Sequence, residues 1–312
     1  SMDPEAPGFE ELRQEFLDGC RRNGYEDQTA GELYELVLRF AGYGFNRSHA
    51  VAYSFIGYQL AYLKASHPLY FYCALLNSVI GDDDKSAEYI SECRRRGIAV
   101  LYPDVNRSLA QYAQEKGGIR LPLSAVKGLG YNGARAVLEE REERPYDDFF
   151  DFVARAVNRR INRKMIENLI SAGALDSFGY ARRTMSASLD DAMNYADLVR
   201  IEHDGQVSIN LSLVSKPVPV RMKDDPIETS ENEKEALGFC LGPHPIIAIR
   251  EKNHIQADPL VALRQKRGYI DGFGLIQQVH QHRTRKGELM AFVNLSDETG
   301  EMDLAVMPKL YG

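Results

Sequence analysis

The 312-residue chain is poor in cysteine, and its four cysteines, Cys20, Cys73, Cys93 and Cys240, are scattered. None forms a CxxC pair, which argues against a zinc ribbon and for reduced, largely buried thiols. Long apolar runs are lacking too, so no segment is expected to cross a bilayer. The first residues, "SMDPEAPGFEELRQEF", are acidic and polar and do not read as a secretory signal. The expectation is a cytoplasmic protein without membrane contact. Positive charge is also short, with a formal net charge of -7 at pH 7. Taken whole, that argues against a nucleic-acid binder. The distribution argues differently. Arg155, Arg159, Arg160, Arg163 and Lys164 fall within ten residues that contain no acid, while acids collect at Asp82 to Asp84 and at Glu139 to Glu143. A local basic face on an acidic chain is compatible with nucleic acid.

Residues 9–40 carry Leu12, Phe16, Leu33, Leu36, Val37 and Phe40 at helical spacing. Gly42 and Gly44 break that stretch, Ser48 is a candidate cap for a helix over His49 to Leu63, and Pro68 opens another. Tyr53, Tyr58 and Tyr62 are assigned to a core. "SAEYISECRRRGIAVLYPDVNRS" reads as a helix, a stop at Gly97, and a short strand from Ile98 to Tyr102 ended by Pro103. The preceding "GDDDK" reads as a solvated loop, because adjacent aspartates point in different directions. Residues 114–180 form a helical unit entered through the strand-like "IRLPL", and 181–200 add one helix. From 203 to 232 the periodicity dissolves into a proline-containing linker, followed by a short helix near Glu233 to Phe239. The tail alternates as strands do, over 269–282, 289–296 and 301–307, with turns at Lys286–Gly287 and Glu298–Thr299–Gly300. Three such strands expose both edges, as a β-barrel cut short would.

The segment "VKGLGYNGARAVL" concentrates the chemistry. Val126, Lys127, Gly128, Leu129 and Gly130, with a small residue at Ala134, fit the helix-hairpin-helix pattern h-x-G-h-G position by position. Glycines permit the sharp turn and a close backbone approach to a phosphate. The following helix offers unpaired N–H groups and the positive end of its dipole, and Tyr131 lies in that first turn. Lys127 adds a cation, while Leu129 plugs the helix pair. The alternative is an ordinary helix–helix connection that happens to contain glycines. A weaker echo, "INRKMIENLISAGALDSFG", follows Arg159, Arg160, Arg163 and Lys164. It is either a second, degenerate hairpin extending a backbone-tracking surface or a solvated basic helix face.

The segment "FAGYGFNRSHAVAYSFIGYQLAYLKASHPLYFYCALLNS" resembles a signature of the fingers in bacterial replicative DNA polymerases of the C family. "ECRRRGIAVLYPDVNRS", the hairpin unit, "ENEKEALGFCLGPHP" and "VNLSDETGEMDLAVMP" follow in the order found in the alpha subunits of that family's DnaE type. The resemblance implies a multidomain, mainly α architecture: part of the fingers over 1–113, a tandem helix-hairpin-helix domain over 114–200, a linker over 201–245, and the start of an oligonucleotide-binding barrel (OB-fold) over 246–312. It implies nucleotide- or template-proximal roles for Asn46, Arg47, Ser48, His49 and Lys64, where Arg47 replaces the family's usual lysine. It further implies that Gln206, Val207, Ser208, Ile209, Asn210 and Leu211, in "GQVSINLSL", form a partial sliding-clamp motif. That motif lacks the commoner leucine-phenylalanine ending, and the alternative is a short strand or an apolar patch in a linker. In the barrel, Arg283, Arg285, Lys286 and Phe292 are candidates for single-strand contacts, and His280 and His282 are taken as surface residues.

Template-directed synthesis in this family runs on Mg2+ held by palm carboxylates, which are expected outside this chain. The chain is therefore expected to bind primer–template DNA without polymerising, to hold no cofactor itself, and to meet other polymerase subunits through missing regions. The competing expectations are a non-catalytic helix-hairpin-helix module and a helical interaction scaffold that does not touch DNA.

Overall fold

The computed structural model describes residues 9–42, 47–203 and 206–311. The chain divides into two compact units, Ser1–Pro68 and Leu69–Gly312. Helices dominate both, and the small sheets do not close into a barrel among the described residues.

The first unit holds α1 (Phe9–Arg22), α2 (Asp27–Gly42) and α3 (Arg47–Ser66). The stretch read as continuously helical is thus broken, because Gly24 adopts a left-handed φ of 82° after α1. Ala30 and Tyr34 of α2 are buried, and Phe16 stacks on Tyr34 with ring centroids 5.5 Å apart. Arg21 reinforces the turn by pairing with Asp18 and Asp27. Ser48 is the second residue of α3 and not its cap. A further correction concerns the tyrosines of α3. Tyr53, Tyr58 and Tyr62 are exposed, and the 20-residue helix has no buried residue. Apolar residues are distributed around the whole helix, the pattern of a helix enclosed on all sides, yet here its residues remain exposed or half-buried.

The second unit opens in α4 (Pro68–Asn77), followed by α5 (Asp83–Arg95). The acidic run read as a loop starts α5. Asp82 caps it by accepting from Lys85 N–H, and Asp83 and Asp84 sit in the first turn, where the helix dipole favours acids. Gly97 ends that helical region with φ 72°. Strand β1 (Val100–Leu101) pairs in parallel with β3 (Gly118–Arg120), which pairs antiparallel with β2 (Ala113–Glu115).

Helices α6 (Gly130–Glu143), α7 (Phe149–Asn158) and α8 (Arg163–Ser171) follow. The single helix expected over 181–200 is two, α9 (Arg182–Ala187) and α10 (Leu189–Val199). The central core gathers Phe149, Phe152 and Val153 of α7, Ile166 and Leu169 of α8, and Leu189 and Tyr195 of α10. The proline-containing segment is more ordered than its periodicity indicates. Strands β4 (Arg200–His203) and β5 (Gln206–Ile209) form a hairpin, and α11 (Pro226–Leu237) starts on an Asp225 cap with Pro226 at its first position.

Helices α12 (Pro245–Asn253) and α13 (Leu260–Leu263) lead into the antiparallel meander of β6 (Leu275–Arg283), β7 (Leu289–Asp297) and β8 (Gly300–Val306), after which comes α14 (Pro308–Tyr311). The first tail strand begins six residues later than its sequence pattern indicates. Asp297 makes the second turn by accepting from the N–H groups of Thr299 and Gly300.

Candidate nucleic-acid interface

The glycine turn has the geometry its sequence requires. A 3-10 turn, Leu123–Ala125, precedes extended Val126. Gly128 (φ 78°) and Gly130 (φ 64°) both adopt left-handed backbone, which a side chain would strain. Leu129 between them is buried, and its Cδ1 lies where a Cβ on Gly133 would fall, only 2.9 Å away. The close packing therefore uses Gly133 as well as the buried Ala134. Lys127, Gly128, Gly130, Tyr131 and Asn132 are exposed. The start of α6 thus presents N–H groups outward, and the first N–H groups of a helix have no intrahelical partner.

Two contacts fix the turn from outside. Asn168 of α8 donates its amide to Lys127 O at 2.7 Å, and Lys127 N–H donates to Ala236 O at 2.8 Å. Neither residue is flagged by the sequence, because nothing local to α8 or α11 marks a partner some forty or a hundred positions away. Lys127 itself is not free in this arrangement. Its Nζ pairs with Asp83 Oδ2 at 2.7 Å, on the rim of a shallow pocket of about 300 Å3.

The basic run is largely neutralised by the fold. Arg155 is buried and bonds Glu140 Oε1 at 2.9 Å and the carbonyls of Glu140 and Arg144. It also lies 4.5 Å over the Tyr146 ring, so its role is structural. Arg159 pairs with Glu140 and Glu143, and Arg163 with Glu167 and Asp190. Burial would raise the Glu140 carboxyl, but hydrogen bonds and charge from Arg155 and Arg159 hold it below the usual carboxylate range. Among the described residues, Arg160 and Lys164 of this run form no ion pair.

Both of these cations adjoin residues that pack on the turn or on the helix it opens. Ile161, next to Arg160, packs where a Cβ on Gly133 would point, and Lys164 lies one helical turn before Asn168 on the same face. Arg160 has a left-handed φ of 64°, uncommon for a side-chain residue.

The echo hairpin differs from the first. Gly173 has φ 78°, but Arg182 covers it and leaves no room for a Cβ. Arg182 donates to Ser171 O at 2.9 Å and pairs with Asp176 and Glu233. The second turn is thereby filled by the protein's own guanidinium, whereas the first is open.

The other sequence-derived sites fall on other elements. Asn46 lies outside the described residues. Arg47, Ser48 and His49 are exposed at the start of α3, with the His49 and Tyr53 rings 4.3 Å apart. Lys64 is half-buried near the far end, about 25 Å along the helix from Arg47 at 1.5 Å per residue. The two cations are therefore not brought to one phosphate group.

In "GQVSINLSL", residues 206–209 form β5, with Val207 opposite Glu202 and Ile209 opposite Arg200. Ile209 and Leu211 pack against the central core, Asn210 N–H donates to Val199 O, and Tyr195 Oη donates to Leu211 O. Ser208 and Asn210 face solvent.

On the meander, His280 pairs with Phe292 and His282 with Met290, which places both histidines and Phe292 on one face. Phe292 is 46% exposed, and Arg283, Arg285 and Lys286 are exposed at the adjoining hairpin.

Comparisons with known proteins agree with the hairpin geometry. Residues 97–185 match the family model described as helix-hairpin-helix motif. The chain is 42% identical over 303 residues to DNA polymerase III subunit alpha of Bacillus subtilis, covering 96% of this chain and 27% of that protein. It is 37% identical over 307 residues to the subunit of the same name from Halalkalibacterium halodurans, with 97% and 27% covered. The Staphylococcus epidermidis protein of that name is 36% identical over 302 residues, with 96% and 28% covered. The chain thus spans just over a quarter of the length of these relatives. No helix among the described residues is long and apolar enough to cross a membrane. Along nearly its whole length, the chain is homologous to one stretch of the bacterial DNA polymerase III alpha subunit, and that stretch contains a helix-hairpin-helix motif.

Proposed function

We propose that the chain grips the sugar–phosphate backbone of duplex primer–template DNA through its glycine turn, as the DNA-holding portion of a DNA-directed DNA polymerase in the bacterial cytoplasm. The observation that carries this is the exposed start of α6 behind two left-handed glycines. A phosphate there accepts from backbone N–H groups at the positive end of the helix. Arg160 and Lys164 add the cations that the fold leaves unpaired, while Arg159 and Arg163 contribute less because acids already neutralise them. Such contacts position DNA and do not read sequence.

Nucleotidyl transfer by the whole polymerase needs Mg2+ between carboxylates. We assign that Mg2+ site to parts of the polymerase outside this chain, so that this chain by itself would hold DNA without extending it. Arg47, His49 and Lys64 are assigned to the vicinity of nucleotide or template, and other polymerase subunits to regions outside this chain. A second contact, to the sliding clamp, is assigned to Gln206–Leu211. It requires β5 to leave β4 and Ile209 and Leu211 to exchange the protein's core for clamp pockets.

The test is fluorescence anisotropy of labelled primer–template DNA across a salt series, using the unaltered chain, Gly130→Val and Lys164→Glu. Saturable, salt-sensitive binding that both substitutions weaken supports the proposal. Binding indifferent to both assigns DNA to another surface, and a folded chain that binds no DNA is a scaffold.

A further inference from the structure

Asp83 stands in the first turn of α5, after the Asp82 cap, yet its carboxylate is directed at the DNA turn. Its Oδ2 is 2.7 Å from Lys127 Nζ, and both side chains border the pocket that Ser86, Ser124, Gly128 and Gly130 also line. The end of α11 holds this arrangement from behind. Gly238, at φ 87°, lies so near that a Cβ there would fall 2.5 Å from Asp83 Cγ. Two residues earlier, Ala236 O accepts the Lys127 N–H. Three separate segments thus bring a carboxylate onto the one cation inside the glycine turn's own sequence.

The pair is a poor candidate for structural cement. The Lys127 and Asp83 side chains are 44% and 46% exposed, and ion pairs so exposed contribute little to stability. Their consequence falls on any anion that approaches the turn. The ammonium is already occupied, and a carboxylate stands beside the position the anion must take.

We propose that Asp83 is a built-in counter-anion of the glycine turn, which a DNA phosphate must displace from Lys127 before the turn engages it fully. This rests on the proposed DNA-binding function and adds a residue that sets its strength. In the free protein, Asp83 holds the ammonium. In the complex, the phosphate and the carboxylate compete for it and repel one another across about 5 Å, a distance at which water and salt screen only partly.

The test uses the full chain, labelled duplex DNA and five variants beside the unaltered protein: Asp83→Asn, Asp84→Asn, Lys127→Ala, the double variant Asp83→Asn with Lys127→Ala, and Gly130→Val. Asparagine keeps the shape at the start of α5 and leaves the Asp82 cap in place, and circular dichroism verifies the helix content. Asp83→Asn is expected to tighten binding about three- to tenfold at low salt, and to steepen the salt dependence by roughly one phosphate contact. Asp84→Asn, which removes the same charge from an exposed neighbouring position, is expected to change affinity much less. In the Lys127→Ala background the gain from Asp83→Asn is expected to be largely lost.

Unchanged or weaker binding by Asp83→Asn, while Gly130→Val still weakens it, overturns the counter-anion and leaves the DNA function standing. Equal gains from Asp83→Asn and Asp84→Asn also overturn it, since bulk charge then suffices. So does a gain that persists without Lys127. Binding indifferent to Gly130→Val instead removes the DNA function on which the inference rests.

Discussion

The side-chain amide of Asn168 donates to the main-chain carbonyl of Lys127 at 2.7 Å, joining α8 to the turn ahead of α6. A Cβ on Gly128 would fall 2.9 Å from that same amide nitrogen. The amide therefore holds the loop in the shape that turns its N–H groups outward. Asn168→Ala is expected to cost about 1 kcal/mol of stability, the usual value of one hydrogen bond, and to weaken DNA binding several-fold. Urea unfolding and anisotropy on the same preparation check the two effects together.

Gly128→Ala combines left-handed strain with that close contact. A loss of roughly 1–3 kcal/mol is expected, together with DNA binding weakened at least as much as by Asn168→Ala. A fully stable Gly128→Ala chain with unchanged DNA affinity would contradict the geometry of the turn.

Arg160 separates stability from binding. Its backbone is left-handed, so Arg160→Gly is expected to hold stability level or raise it by up to about 1 kcal/mol. The same change removes an unpaired cation near the turn. DNA affinity should fall, and the slope of log affinity against log salt should shrink by about one contact.

Glu233 is buried and accepts from Tyr102 Oη and Arg182 Nη1, each at 2.9 Å, and from the backbone N–H groups of Leu241 and Gly242. Glu233→Ala leaves Arg182 without one of its two carboxylates. A loss of roughly 3–5 kcal/mol is expected, as for other broken buried pairs, read as a lowered denaturant midpoint.

His244 supplies a pH dependence. Its Nδ1 accepts from Ile246 N–H to start α12, and its Nε2 lies 2.9 Å from Ser296 Oγ. Burial lowers its pKa from the ordinary histidine value; Asp297 and Glu298 oppose that shift and Arg250 reinforces it. The fold therefore favours the neutral ring. Its contribution is fully present above about pH 6.5 and is lost as pH falls through the lower folded value. Stability of the unaltered chain measured from neutral pH downward should decline more steeply than that of His244→Gln.

The local sequence determined much of this protein. Two glycines around Leu129 specify the turn, because few other residues adopt left-handed backbone without strain. Alternation over the tail specifies a meander, although the start of β6 could not be placed from pattern alone. The homologous family was legible in ordered motifs, and the alignment with its members agrees. Charge was read less well. Arg155, Arg159 and Arg163 stand in a run without acids, but Asp151 and Glu167 pair with Arg155 and Arg163 from one turn away on the same helices, and Glu140 and Asp190 reach the run from α6 and α10. The tyrosines of α3 were assigned to a core by their apolarity, yet burial depends on what packs against a helix and not on its composition. Ile209 and Leu211 fit a clamp-binding peptide or a short strand equally well by residue type, and it is β4 and Tyr195 that hold this segment in the fold. Backbone conformation is set largely by each residue and its neighbours, so the sequence alone determined the turn. Which charges remain unpaired and which apolar groups remain exposed depends on partners distant along the chain, and only the tertiary structure decided them.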